Sequence, residues 1–104
     1  MQLVDFNGVF KTLKGEDVKD EKGVVLTLGE LSCNLLVGMQ EDDKNLSGLA
    51  KVKRYKLAQR ISGAKKPVEL EAEEITLLKD LFGKNASPLI VGQAYEWLDP
   101  PVKE

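Results

Sequence analysis

The chain has 104 residues, of which 42% are hydrophobic, with 15 basic and 17 acidic residues and a formal net charge of −2. This length and composition predict a single folded domain, residues 1–104, and exclude binding to nucleic acid through a strongly basic overall charge. The chain has no histidine and one cysteine, Cys33. Histidine-based catalytic triads, histidine-ligated zinc sites and an internal disulfide are therefore excluded.

Short apolar segments near the N-terminus predict a small β-region over residues 2–26. These segments are residues 2–6, 9–14 and 24–26. Asn7-Gly8 is typical of a two-residue hairpin turn, which would pair the first segment with the second. Alternatively, the second segment pairs with the third, and residues 15–23 connect them. Both alternatives predict a β-hairpin or meander that packs against helices, because isolated hairpins are marginally stable. No internal repeat is recognised.

Helix-start signals predict four helices in the region 27–98. They lie near residues 28–39, 47–62, 72–82 and 88–98. Thr27 followed by Glu30 is a capping-box pattern, and Ser47 is a favourable N-cap. Ser87-Pro88 places proline at a first helical position, where it is well tolerated. The predicted fold is therefore α+β and mainly helical, with a loose tail over residues 99–104.

No group of residues in the sequence points to catalysis. A glycine-rich phosphate loop and a Gly-x-Ser-x-Gly elbow are both absent, and no histidine is present to activate Cys33. We therefore expect a non-enzymatic protein without a cofactor or a bound metal. The sequence also lacks a long apolar segment and a signal peptide, so we expect a cytoplasmic protein that is not associated with a membrane.

The predicted helix 47–62 carries apolar residues on two opposite faces. At 100° per residue, Leu46, Ala50, Leu57 and Ile61 face one way and form a core stripe. Val52 and Tyr55 face the other way. Either other elements of the same fold cover this second face, or it is a contact surface for another chain. A symmetric homodimer through the face of Val52 and Tyr55 is one form that such a contact would take.

The basic residues of this helix complete the predicted partner site. The candidate contact residues are Val52, Tyr55, Lys51, Lys53, Arg54, Lys56 and Arg60. The expected partner is another protein. The alternative is a nucleic acid held by the basic segment 51–66, which contains no acidic residue and in which Tyr55 would stack on a base. Against this alternative, the basic side chains surround the helix and do not form one stripe.

Four stretches of the sequence resemble small proteins of tailed bacteriophages and prophages. They are LTLGEL at 26–31, RYKLAQRI at 54–61, VELEAEEITLLKDLFGK at 68–84 and SPLIVGQAYEWLD at 87–99. In size and layout the chain is also similar to small tail-assembly chaperones. The resemblance implies a cytoplasmic protein made in an infected bacterium, which binds another protein in assembly or to modulate a host factor. It implies no catalytic residue.

Overall fold

A computed structural model describes residues 2–38 and 46–98 and has an α+β, mainly helical fold. Its elements in chain order are β1 (Gln2–Val4), α1 (Leu28–Val37), α2 (Gly48–Ile61), β2 (Val68–Leu70), α3 (Ala72–Asn85) and α4 (Pro88–Leu98). The predicted fold class and the four predicted helices are confirmed. Helix α3 continues three residues past its predicted end at residue 82. The predicted end of the first helix at residue 39 and the predicted tail 99–104 lie outside the described residues.

Strand β1 pairs with β2 and not with the segment that follows it. The pairing is antiparallel, with Gln2 opposite Leu70 and Val4 opposite Val68. The predicted turn at Asn7-Gly8 would need positive φ at both residues, and neither has it. Gly8 is needed for a different reason, because a Cβ on it would lie 2.9 Å from Cε2 of Trp97. The predicted pairing of residues 2–6 with 9–14 is therefore wrong. Glycine is required at position 8 because the backbone there lies against the ring of Trp97, not because it forms a hairpin turn.

Residues 8–28 form a small ring of three hydrogen-bonded segments, which we call the three-segment ring. The N–H of Phe10 donates to the carbonyl of Leu26 (3.0 Å), that of Leu26 to Val18 (2.8 Å), and that of Val18 to Phe10 (2.8 Å). The bridge between Val9 and Thr27 belongs to the same ring. The second predicted pairing, of residues 9–14 with 24–26, is thus confirmed. Residues 15–23 are more than a connecting loop, because they supply the third segment.

The three-segment ring contains an internal repeat of eight residues, so the expectation of no repeat was wrong. The hydrogen bonds from Thr12 to Glu16 (2.7 Å) and from Asp20 to Val24 (2.9 Å) occupy equivalent positions, eight residues apart. Each of these turns ends in a Lys-Gly pair, Lys14-Gly15 and Lys22-Gly23. Both glycines have positive φ, 89° and 82°. The repeat reflects the same three-residue hairpin turn used twice, with glycine in the left-handed position.

The three-segment ring joins the helices through aromatic packing and side-chain hydrogen bonds. Phe10 is fully buried, and its ring centroid lies 5.0 Å from that of Trp97 and 6.3 Å from that of Phe82. The side chain of Gln93 accepts from the N–H of Lys11 and donates to its carbonyl, both at 2.8 Å. Among the helices, α2 packs chiefly on α1, and α3 packs on α1 and α4. This arrangement leaves the outer face of α2 at the surface.

Candidate partner-binding site

Helix α2 is built as the sequence predicts. The hydroxyl of Ser47 accepts from the N–H of Ala50 at 3.1 Å and caps the N-terminus of the helix. The helix ends at Ile61, and Gly63 beyond it has a φ of 72°. Leu57 and Ile61 are buried in the core, each 2% exposed. The predicted core stripe is therefore confirmed at these two residues, whereas Leu46 and Ala50 are only half-buried.

The opposite face of α2 is apolar and open to solvent. Val52 is 46% exposed and Tyr55 is 56% exposed. Leu49, which the sequence analysis missed, is 67% exposed and lies three residues before Val52. Residues three apart are neighbours on a helix surface, so Leu49, Val52 and Tyr55 form one row, which we call the exposed α2 stripe. No element of the described ranges 2–38 and 46–98 covers Val52 and Tyr55, contrary to the interpretation in which the fold encloses this face.

The basic residues of the predicted partner site differ in their exposure and in their interactions. Lys51, Lys53 and Lys56 are exposed, and none of the three has an ion-pair partner within the described ranges 2–38 and 46–98. Arg54 is half-buried and engages in an interaction of its own. The lysines therefore remain available to a partner.

Arg60 is engaged by other residues of the fold, although its side chain is 47% exposed. Its Nη1 lies 2.7 Å from Oε2 of Glu74, and its Nη2 donates to the carbonyl of Glu69. The other oxygen of Glu74, Oε1, accepts from the N–H of Glu71 at 2.9 Å, which caps the start of α3. Arg60 thus links α2 to β2 and α3. Its guanidinium is therefore less available to a partner than the ammonium groups of the lysines.

Cys33 has the surroundings of a structural thiol. Its Sγ lies 3.4 Å from the carbonyl oxygen of Ala58 and donates to it across the α1–α2 contact. Burial raises the pKa of the Cys33 thiol, and the nearby carboxylate of Glu30 raises it further. A raised pKa lowers the fraction of reactive thiolate at neutral pH. This position therefore favours packing over nucleophilic chemistry.

Among the described residues, two concave surfaces border α2 along its length, and a third, of about 420 Å³, meets it only at Ile61. One, of about 160 Å³, lies between Val37 and Tyr55 and reaches Gly38 and Leu46, the two ends of the gap between the described ranges. The other, of about 340 Å³, lies between α2 and α3 and has Leu57 and Leu77 among its lining residues. We call this second surface the α2–α3 groove. Sequence analysis missed it because its two walls come from helices that β2 separates in the chain.

Within the part of the chain that the structure describes, no cluster of three or more cysteine, aspartate or glutamate side chains is arranged to hold a metal ion. None of its helices combines the length and apolar character that a membrane crossing requires. No known protein family, no curated protein and no solved structure matches this chain. Inferences about function therefore depend on the chemistry of its own surface.

Proposed function

We propose that the protein is a non-catalytic binding protein, encoded by a tailed bacteriophage or prophage, that holds another protein through the exposed α2 stripe. The observation that supports this proposal is the row of Leu49, Val52 and Tyr55 on the solvent side of a helix whose other side is buried. The fold does not need this row, since Leu57 and Ile61 already anchor α2. An apolar row rimmed by polar residues is typical of a protein-interaction site.

The composition of the stripe suits a protein interface. Tyrosine is enriched among the residues that dominate binding energies, because it buries a large rigid surface and keeps a polar tip. Burying one large apolar side chain contributes roughly 1.5–3 kcal/mol, so three of them supply a useful part of a binding free energy. Lys51, Lys53 and Lys56 surround the stripe and would select a partner with acidic residues at the rim.

Nucleic acid is the second candidate partner, because exposed lysines continue beyond the helix. Lys65 and Lys66 are exposed like Lys51, Lys53 and Lys56. A phosphate backbone bound by these residues would give an affinity that falls steeply with salt concentration. Arg60 would not contribute, since Glu74 and Glu69 already occupy its guanidinium. Tyr55 would stack on a base in such binding, but Leu49 and Val52 would have no role, which is why we favour a protein partner.

Affinity capture with matched variants tests the proposal. Tagged wild-type protein is compared with the double variant Val52→Asp/Tyr55→Ala in lysate of infected bacteria, with and without nuclease treatment. Leu13→Asp is the control, because Leu13 is 96% exposed and lies at a turn far from α2 in the chain. We expect a protein that the wild type and the control retain and the double variant loses, by about tenfold or more. Equal retention by all three would contradict the proposal, and retention that nuclease abolishes would favour nucleic acid.

A further inference from the structure

The α2–α3 groove combines an apolar floor with charged rims. Its floor contains Leu57, which is buried, and Leu77, which is half-buried. Lys53 and Lys56 form the rim on α2, and Glu73 stands on the rim of α3. The volume of about 340 Å³ lies within the roughly 300–1,000 Å³ range typical of sites that accept a ligand. The groove is therefore large enough to take an apolar side chain from outside.

The Arg60–Glu74 ion pair holds the two walls of the groove together. These side chains line the groove and approach to 2.7 Å, and Arg60 also donates to the carbonyl of Glu69 just before α3. Direct packing between α2 and α3 is slight, since α2 packs chiefly on α1. Because Arg60 and Glu74 neutralise each other, the remaining rim charges are those of Lys53 and Lys56 on one side and Glu73 on the other.

The rim on α2 is continuous with the exposed α2 stripe. Leu49 lies four residues before Lys53, and Lys53 lies three residues before Lys56. These intervals place all three side chains on one side of the helix. Leu49 is 67% exposed, so it extends the apolar surface past the two lysines. A partner seated on the stripe would therefore reach the groove without leaving the protein surface.

We propose that the α2–α3 groove binds one amphipathic helix of the partner protein, with an apolar side chain on Leu57 and Leu77 and carboxylates against Lys53 and Lys56. This inference rests on the proposed function and names the chemistry of the partner. A groove between two helices matches the mode in which a helix inserts its apolar face. Two lysines one turn apart match two acidic residues one turn apart on the partner, and Glu73 sets its direction by attracting a basic residue.

The same features disfavour a nucleic acid as the occupant. A phosphate backbone would place negative charge beside Glu73, where like charges repel. It would also leave Leu57 and Leu77 uncovered, because phosphates make no use of an aliphatic floor. An acidic amphipathic helix satisfies the lysines and the leucines together. The charge pattern of the groove therefore selects a protein segment.

A displayed library of random 16-residue peptides, selected against the wild-type protein, tests this inference without knowledge of the natural partner. We expect enriched peptides to combine apolar residues at helical spacing with aspartate or glutamate beside them. With a fluorescent copy of the best peptide, the double variant Lys53→Glu/Lys56→Glu should bind about tenfold more weakly. The control Lys65→Glu/Lys66→Glu changes the net charge equally and should bind within about twofold of the wild type.

Several outcomes of the selection and the binding assay would overturn the inference. It fails if no peptide is enriched, if enriched peptides are neutral or basic, or if both lysine pairs matter equally. It also fails if a 20-nucleotide single strand displaces the peptide and depends on the same lysines, since nucleic acid is then the favoured occupant. Peptide binding that requires Val52 and Tyr55 but not Lys53 and Lys56 leaves the proposed function standing alone. Binding with the opposite dependence supports the groove and contradicts the exposed α2 stripe.

Discussion

Phe10 in the three-segment ring and Tyr55 on α2 are both aromatic residues, but the fold uses them differently. Phe10 is 0% exposed and packs against Trp97 and Phe82, whereas Tyr55 is 56% exposed. Their charged neighbours differ in the same way. Lys11 in the ring pairs with Asp17, whereas Lys53 and Lys56 on α2 have no ion-pair partner among the described residues. Phe10 and Lys11 are thus engaged by other residues of the fold, whereas Tyr55, Lys53 and Lys56 lie exposed on the surface of α2.

The largest expected difference in stability is the one between the variants Phe10→Ala and Tyr55→Ala. Phe10→Ala should lower the free energy of unfolding by about 3–5 kcal/mol, because it leaves a cavity between Trp97 and Phe82. Tyr55→Ala should change it by less than about 0.5 kcal/mol, since the ring is exposed. Denaturant unfolding followed by circular dichroism measures both values. If Tyr55→Ala lowered the free energy of unfolding by more than about 2 kcal/mol, the fold would depend on this side chain, which would contradict its assignment to the open surface.

A smaller loss of stability is expected when a glycine with positive φ is replaced, and no loss is expected at a glycine that begins a helix. Gly23→Ala should lower the free energy of unfolding by about 1–2 kcal/mol, because its φ of 82° is strained for a residue with a Cβ. Gly48→Ala is the matched control, because Gly48 begins α2, lacks positive φ and has open space around its Cβ position. It should cause no loss of stability. Equal losses at both positions in thermal unfolding would contradict the turn geometry of the three-segment ring.

The smallest expected effect is a gain in stability on α1, the helix on which α2 chiefly packs. Ser32 on α1 is fully buried, and its Oγ has no hydrogen-bond partner among the described residues. An unsatisfied buried hydroxyl is unfavourable, so Ser32→Ala should raise the free energy of unfolding by about 1 kcal/mol. The melting temperature should then rise by about 4–8 °C in a domain of this size. Ser62→Ala serves as the control because Ser62 is exposed. A lower melting temperature for Ser32→Ala would show that the hydroxyl is needed.

The helices could be predicted from the sequence because their start signals are local. The pairs Thr27 with Glu30 and Ser47 with Ala50 make the capping hydrogen bonds that their spacing indicates. The pairing of β1 with β2 could not be predicted, because it joins Gln2 to Leu70 across most of the chain. No local pattern specifies a contact of such sequence separation.

The three-segment ring and the surfaces of α2 show two further limits of prediction from the sequence. Each pair of segments in the ring shares two backbone hydrogen bonds, so the paired stretches are too short to produce a clear alternation of apolar residues. The contact at Val52 and Tyr55 could be proposed from helical spacing, and Leu49 was accessible by the same rule. The pairing of Arg60 with Glu74 could not be predicted from the sequence, because it depends on how α2 and α3 lie relative to each other.

The most direct test of the central claim is photo-crosslinking from the exposed α2 stripe. Tyr55→p-benzoylphenylalanine and Leu13→p-benzoylphenylalanine place the same reactive group at two exposed positions, one on α2 and one in the three-segment ring. Both proteins are irradiated in nuclease-treated lysate of infected bacteria, and the adducts are identified by mass spectrometry. We predict one discrete protein adduct from position 55 and none from position 13. The same adducts from both positions, or none from position 55, would contradict the assignment of α2 as the partner-binding surface.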